Sequence, residues 1–293
     1  MKILVTGGAG FLGSHVCDAL SRIGHQVLIF DRCASPFLNG DQQMVIGDIR
    51  DLDSVAAAAQ GCGAIFHLAA LADIDEAINK PVDTIQINVG GTVNALEAAR
   101  QAGVSRFVLA SSIYVYSSKG SFYRTSKQAS ELLAQDYFER FGIPYTILRY
   151  GSLYGPRAGS DNAVYRLIRQ ALTEECLRYS GTGDEVREYI HVVDAAEASA
   201  EILDKNFENE IIHLMGRERI KTREMLDMIN EMAGGHLSIE TGKGSMQGHY
   251  VQTPYNYTPK LGKKLARTTY IDLGLGLLEC MNEIGQEIAD NHD

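Results

Sequence analysis

Tyr123 and Lys127 stand four residues apart, and Ser112 precedes the tyrosine with only residues 113–122 between them. On a helix, a four-residue spacing stacks two side chains on one face. A phenol beside an ammonium is a proton-transfer pair. The positive charge favours phenolate and lowers a tyrosine pKa that otherwise sits near about 10. Residues 109–127 read LASSIYVYSSKGSFYRTSK. The apolar run at 107–110 predicts a buried strand with Ser111 and Ser112 at its end, Gly120 marks a turn, and a helical pattern starts near Tyr123. A serine so placed can hold a substrate oxygen while the tyrosine takes its proton. Taken alone, Tyr-x-x-x-Lys describes an ordinary amphipathic helix pair. What argues otherwise stands at the N-terminus.

There a short apolar strand at 2–5 runs into TGGAGFLG at 6–13, then a helical pattern at 14–23 and a second strand at 26–30 that ends on Asp31. Gly7, Gly10 and Gly13 fall in a Gly-x-x-Gly-x-x-Gly spacing. Gly7 allows the tight turn, Gly10 lets a pyrophosphate approach the main chain, and Gly13 lets helix and strand pack closely. The helix N-terminus supplies amide donors and partial positive charge to phosphates. Asp31 is placed to accept hydrogen bonds from an adenosine ribose, and a carboxylate there repels a ribose phosphate. NAD is therefore favoured over NADP. Arg32 pulls the other way, because an arginine can receive such a phosphate.

Strands and helices continue to alternate. Strands are expected at 44–46, 64–68, 106–110 and 144–150, with helices between them, one capped by Asp51 or Asp53. This predicts an α/β fold, a Rossmann-type doubly wound parallel sheet with a smaller C-terminal substrate-binding lobe. The dinucleotide domain is expected over 1–151, with 190–210 returning to it. The lobe is expected over 152–189 and 211–293. Gly7, Asp31, Asp48, Ala69 and Ser112 all fall at strand carboxyl ends, where such sheets bind ligands.

Composition narrows the partners. The chain has 293 residues, 45% of them hydrophobic, and a formal net charge of −10. That argues against nucleic acid or a membrane surface as partner, so any anionic ligand must be held by local groups. The five cysteines are scattered, which fits reduced thiols in a cytoplasmic protein, with no disulfide frame and no metal site. No apolar run approaches the ~18 residues of a membrane span.

Taken together, TGGAGFLG at 6–13, Asp31, Gly47-Asp48-Ile49, HLAA at 67–70, residues 88–92, Ser111-Ser112, Tyr123 with Lys127, Tyr154-Gly155-Pro156 and residues 187–194 resemble the extended short-chain dehydrogenase/reductase family. The closer likeness is to its NAD-dependent nucleotide-sugar epimerase/dehydratase branch. The resemblance implies that Gly7, Gly10, Phe11, Leu12 and Gly13 line the pyrophosphate of NAD, with Asp31 and Arg32 at the adenosine ribose. It implies Asp48 and Ile49 at the adenine, Leu68, Ala69 and Ala70 along the cofactor, and Tyr123 and Lys127 at the nicotinamide ribose. Ser112, Tyr123 and Lys127 would be catalytic. Ser112, Asn88 and Arg187 would serve the substrate, a UDP- or dTDP-hexose, with Arg187 on its diphosphate. A homodimer through the helices at 84–102 and 123–141 is implied as well.

The implied chemistry is transient hydride transfer from a sugar carbon. Dehydratases and decarboxylases of this family carry acids just after the catalytic serine or threonine. Here those positions are Ile113 and Tyr114, which favours 4-epimerisation of a UDP-hexose. The alternatives are a sugar-nucleotide dehydrogenase or reductase, a dehydratase or decarboxylase, and a non-catalytic NAD-binding regulator. Two departures stand out. The segment 113–122 is shorter than the family's usual loop, which suggests an opener pocket, a larger sugar, or a wall from another subunit. No arginine for the second phosphate is evident at 242–257, where Gln247, His249 or Tyr250 take its region. Asp73 and Asp75 read as a solvated loop or as sugar contacts, His67 as a satisfied core histidine, Arg157 as a phosphate contact or a surface turn, and Tyr179 as a strand aromatic or a base-packing ring.

Overall fold

In the first strand, β1 (Lys2–Thr6), Ile3 and Val5 enter one apolar core and Leu4 enters another. Side chains alternate along a strand, so a sheet covered on both faces needs apolar residues at every position. The structure, a computed structural model, describes residues 1–244, 248–252, 263–266 and 268–291.

The elements after β1 are α1 (Phe11–Arg22), β2 (Gln26–Asp31), β3 (Gln43–Ile46), α2 (Leu52–Ala59), β4 (Ala64–His67), α3 (Ile74–Asn79) and α4 (Pro81–Ile85). A π-helical turn, Gln86–Gly90, leads into α5 (Gly91–Ala102), then β5 (Arg106–Ser112), a 3-10 turn at Ile113–Tyr116, α6 (Ser121–Phe141) and β6 (Tyr145–Tyr150). The rest comprises β7 (Ser152–Tyr154), α7 (Ala163–Thr173), β8 (Cys176–Tyr179), β9 (Val186–His191), α8 (Val192–Glu201), β10 (Glu210–Leu214), β11 (Arg219–Lys221), α9 (Thr222–Met232), β12 (Ser238–Thr241), β13 (Lys263–Lys264) and α10 (Leu273–Asp290).

The main sheet runs β3-β2-β1-β4-β5-β6-β10-β13, every neighbouring pair parallel. Its strand order reverses between β1 and β4, which opens a crevice at their carboxyl ends. Val16, Cys17 and Leu20 of α1 and the alanines of α8 cover one face, with Ile3, Val5, Phe66, Val108 and Leu148. Val55 of α2, Ala95 and Leu96 of α5 and Ala134 of α6 cover the other, with Leu4, Ile65, Phe107 and Ile147. The side chain of Asp51 caps α2, and left-handed glycines, Gly103 and Gly142, end α5 and α6. No helix among the described residues is long and apolar enough to cross a membrane.

A second body packs around Leu167, Ile168, Leu226, Ile229, Leu277 and Ile284, drawn from α7, α9 and α10, with small sheets β11-β9-β7 and β12-β8. The sequence-based boundary at 210 needs correction. β10 pairs with β6 in the main sheet, Ile212 opposite Leu148, and β13 extends the same sheet. Ile211 and Ile212 feed opposite cores, as a strand covered on both faces requires. The chain thus returns to the sheet after β9, and only then completes the lobe.

Candidate active site

The crevice between β1 and β4 is lined by backbone held close to backbone. Gly7 has φ +74, and a Cβ on it would sit 2.6 Å from the Ala69 nitrogen. A Cβ on Gly13 would come within 2.0 Å of the Gly7 carbonyl oxygen, so the helix could not pack on the turn. Gly10 is exposed at the N-cap of α1, which has no side-chain cap and no acid in its first turn. Its first amides, at Phe11 and Leu12, are left for an anion. Leu12 packs its side chain toward the core, so what it offers a ligand is backbone.

Asp31 ends β2 and accepts hydrogen bonds from the Ala9 amide at 3.0 Å and the Cys33 amide at 3.3 Å, which ties the strand end to the glycine turn. Arg32 beside it is exposed. Asp48 pairs with Arg50 at 2.6 Å, and that pairing holds its carboxyl below the ordinary range. Ile49 turns its side chain into the core against Gly91, so any contact with a base falls to its main chain. Leu68 and Ala69 bond back to Thr6 through their amides, at 3.0 and 3.4 Å, and with Ala70 they floor the crevice half-buried. These groups fit an adenine dinucleotide: a glycine cradle that a Cβ would block, free helix amides for the phosphates, and a carboxylate at the second strand end. His67 below them is a core histidine. It contacts Thr6 at 2.8 Å and Thr92 at 3.1 Å, and burial pushes its pKa down to about 3.

At the end of β5 the proton-handling groups meet. Burial pushes the Tyr123 phenol above its ordinary value, while a hydrogen bond with Ser112 works the other way. Lys127 is buried, its Nζ 5.9 Å from the Tyr123 ring centroid. It donates to the Ala110 carbonyl at 2.8 Å. Burial lowers its pKa to about 8 against an opposing pull from Glu131. The expectation that Lys127 lowers the tyrosine pKa is thus not met in the protein alone. The ammonium is turned to the Ala110 carbonyl, and desolvation raises the phenol.

Asn88, expected among the substrate-binding residues, is buried, with its amide engaged inside the protein. It accepts from the Leu71 amide at 2.7 Å and donates to the Leu71 carbonyl at 3.0 Å and to Ser126 at 2.9 Å. Asn88 therefore braces the loop after β4 against α6. Arg187 lies buried on β9, stacked 4.2 Å over the Tyr250 ring and donating to the Tyr250 carbonyl at 2.8 Å.

The short 113–122 segment packs against residues 248–250. Gly120 donates its amide to the Gly248 carbonyl at 2.7 Å, and the Tyr114 ring packs on Tyr250 at 4.6 Å. The Tyr114 hydroxyl meets Nδ1 of His249 at 2.9 Å. Residues 248–250 of the same chain form a wall against the short loop. Gln247 lies outside the described residues. Arg157 pairs with Asp18 at 2.9 Å and stacks on Phe37, joining the lobe to α1. Tyr179 packs at the edge of the lobe core.

Sequence reasoning missed two features. One is this wall. The other is a buried network in which Glu131 grips Arg149, Arg149 reaches Tyr116, and Tyr116 meets His213 at 2.8 Å. Glu131 lies four residues after Lys127 on the same helix face, a signal that the sequence did carry.

The sequence model of the NAD dependent epimerase/dehydratase family matches residues 3–214. This chain belongs to that family. It is an NAD-dependent enzyme of the extended short-chain dehydrogenase/reductase type. Within the family it is 30% identical over 261 residues to an uncharacterised UDP-glucose epimerase of Bacillus subtilis, covering 80% of this chain and 83% of that protein. It is also 30% identical over 259 residues to a UDP-N-acetyl-alpha-D-glucosaminuronate decarboxylase of Bacillus cytotoxicus, covering 79% of this chain and 80% of the other. The crystal structure of a UDP-glucuronic acid 4-epimerase from Bacillus cereus, in complex with UDP-glucuronic acid and NAD, superposes with a TM-score of 0.85 at 27% identity, covering 98% of this chain and all of that one.

Proposed function

We propose that this enzyme interconverts the C4 epimers of a UDP-hexose by transient oxidation. The observation that carries the reading is Tyr123 one helical turn before buried Lys127 on α6, with Ser112 at the carboxyl end of β5 and Ile113 and Tyr114 where elimination would need acids. Tyr123 takes the proton from the C4 hydroxyl, and Ser112 holds that oxygen. Bound NAD supplies the hydride acceptor and, in its oxidised form, a positive charge that favours phenolate. Lys127 positions the ribose and keeps a cation behind the phenol. Gly7, Gly10, Gly13 and the first amides of α1 hold the pyrophosphate, and Asp31 the ribose hydroxyls. Arg187 takes the sugar-side diphosphate, and the wall of Tyr114, His249 and Tyr250 flanks the sugar. Exposed Ile85 and Leu132, on the helices expected to pair, support a homodimer.

The test is proton NMR of the purified enzyme with UDP-glucose and no added NAD. The expected result is a mixture of the two C4 epimers with no net change in nicotinamide absorbance. Loss of water or carbon dioxide from any sugar nucleotide, or stoichiometric NADH, would overturn the reading.

A further inference from the structure

Ser112 is anchored from both sides. Before it, the hydroxyl of Ser111 donates to Oε1 of Glu131 on α6 at 2.5 Å. After it, the 3-10 turn Ile113–Tyr116 ends on buried Tyr116. The Tyr116 hydroxyl accepts from Nη1 of Arg149 at 2.6 Å, and its ring lies 4.7 Å from the guanidinium. Arg149 stands opposite Ser111 in the β5–β6 register and is paired with Glu131, so the two anchors belong to one buried unit. We propose that the Glu131–Arg149 pair is a positioning device for Ser112, fixing the strand end and the turn between which that serine stands, an inference that rests on the proton transfer proposed above.

A buried ion pair is a poor source of stability, because desolvation of two charges offsets their attraction. It is a good source of geometry, because a two-pronged guanidinium–carboxylate contact admits few arrangements. Here the geometry is delivered to the reacting groups. Tyr123, Lys127 and Glu131 follow at four-residue intervals along one face of α6. Lys127 holds the Ala110 carbonyl, Glu131 the Ser111 hydroxyl, and Gln128 the Val115 carbonyl at 2.8 Å. The helix that carries the phenol thus grips the chain on both sides of Ser112. Tyr116 also meets His213 of β10, which ties the turn to the sheet. Ser112 itself accepts from the Tyr114 amide at 3.3 Å. That contact occupies an acceptor site of the hydroxyl and leaves its single proton for a substrate oxygen. A shift of the strand end or of the turn would carry the amide away, and the serine would lose that orientation.

Ser111→Ala and Tyr116→Phe each cut one anchor and leave the Glu131–Arg149 pair in place. In the NAD-loaded enzyme each should lower kcat for UDP-glucose by about tenfold or more, the effect of a slightly misplaced reacting group. KM and NAD affinity should stay within about threefold, since no binding contact is removed. In a Ser112→Ala background neither change should slow turnover further, because both act through that serine. Amide hydrogen exchange in the segment 112–117 gives a readout that needs no turnover. The Tyr114 amide should exchange about tenfold faster in both variants, with protection elsewhere unchanged. Unchanged exchange in that segment, a loss of protection spread over the whole sheet, an unaffected kcat, or a rate loss of the same size in the Ser112→Ala background would each overturn the inference. Faster exchange confined to 112–117 in an enzyme that converts no sugar nucleotide would instead overturn the reaction and leave the positioning standing.

Discussion

Glu131 grips Arg149 with both carboxylate oxygens, 2.9 Å from Nε and 2.5 Å from Nη2, where both side chains are almost fully buried. The pair sits one helical turn beyond Lys127 and continues to Ser111 on β5. Removing one partner strands the other charge out of water, at a cost of about 3–5 kcal/mol. Glu131→Gln and Arg149→Met should each lower stability by that order in urea unfolding. The double variant should lose less than the sum, because no stranded charge remains. Additive losses would show that the two side chains act independently.

Lys127 makes a pH prediction for the cofactor-free protein. Its folded pKa, about 8, lies below the ordinary lysine value of 10.5. Between those values the unfolded chain binds more protons, so this residue's contribution to stability rises with pH. Below pH 8 the full cost of burying the ammonium applies. Lys127→Met should therefore be more stable than the parent at pH 7, by on the order of 2 kcal/mol, with the gap narrowing from pH 8 to 10. Parallel denaturant titrations across that range check it. A gap that widens would have the sign wrong.

Tyr123→Phe removes the phenolic hydroxyl and leaves the ring among its neighbours. Turnover should fall by roughly 10²–10⁴, while NAD affinity changes by less than about tenfold. Single-turnover rates and a fluorescence titration of the cofactor separate the two. A variant that retains most of the parent rate would remove Tyr123 from the proton transfer.

Asp31 holds the glycine turn through Ala9 and is the carboxylate nearest the expected ribose site. Asp31→Ala should weaken NAD binding by about 1.4 kcal/mol or more, a factor of ten. It should also narrow the preference for NAD over NADP, since exposed Arg32 remains beside the vacated position. Titration of both cofactors against the variant would show this, and an unchanged preference would place the discrimination elsewhere.

The sequence by itself determined the elements and the residues with chemistry. Apolar runs at 2–5 and 107–110 and the glycines at 7, 10 and 13 are local signals, set by alternation along a strand and by close backbone approach. Tyr123 and Lys127 share a helix face by spacing alone, and Asp31 follows from its place at a strand end. Only the tertiary structure decided how those residues are surrounded. His249 meets Tyr114 across 135 positions, and Arg187 meets Tyr250 across 63, separations that no periodicity encodes. The direction of the tyrosine and lysine pKa values depends on burial, a property of packing and not of spacing. β10 reads locally as any apolar strand. Its place beside β6 is settled by which faces Ile211 and Ile212 can cover once the sheet exists.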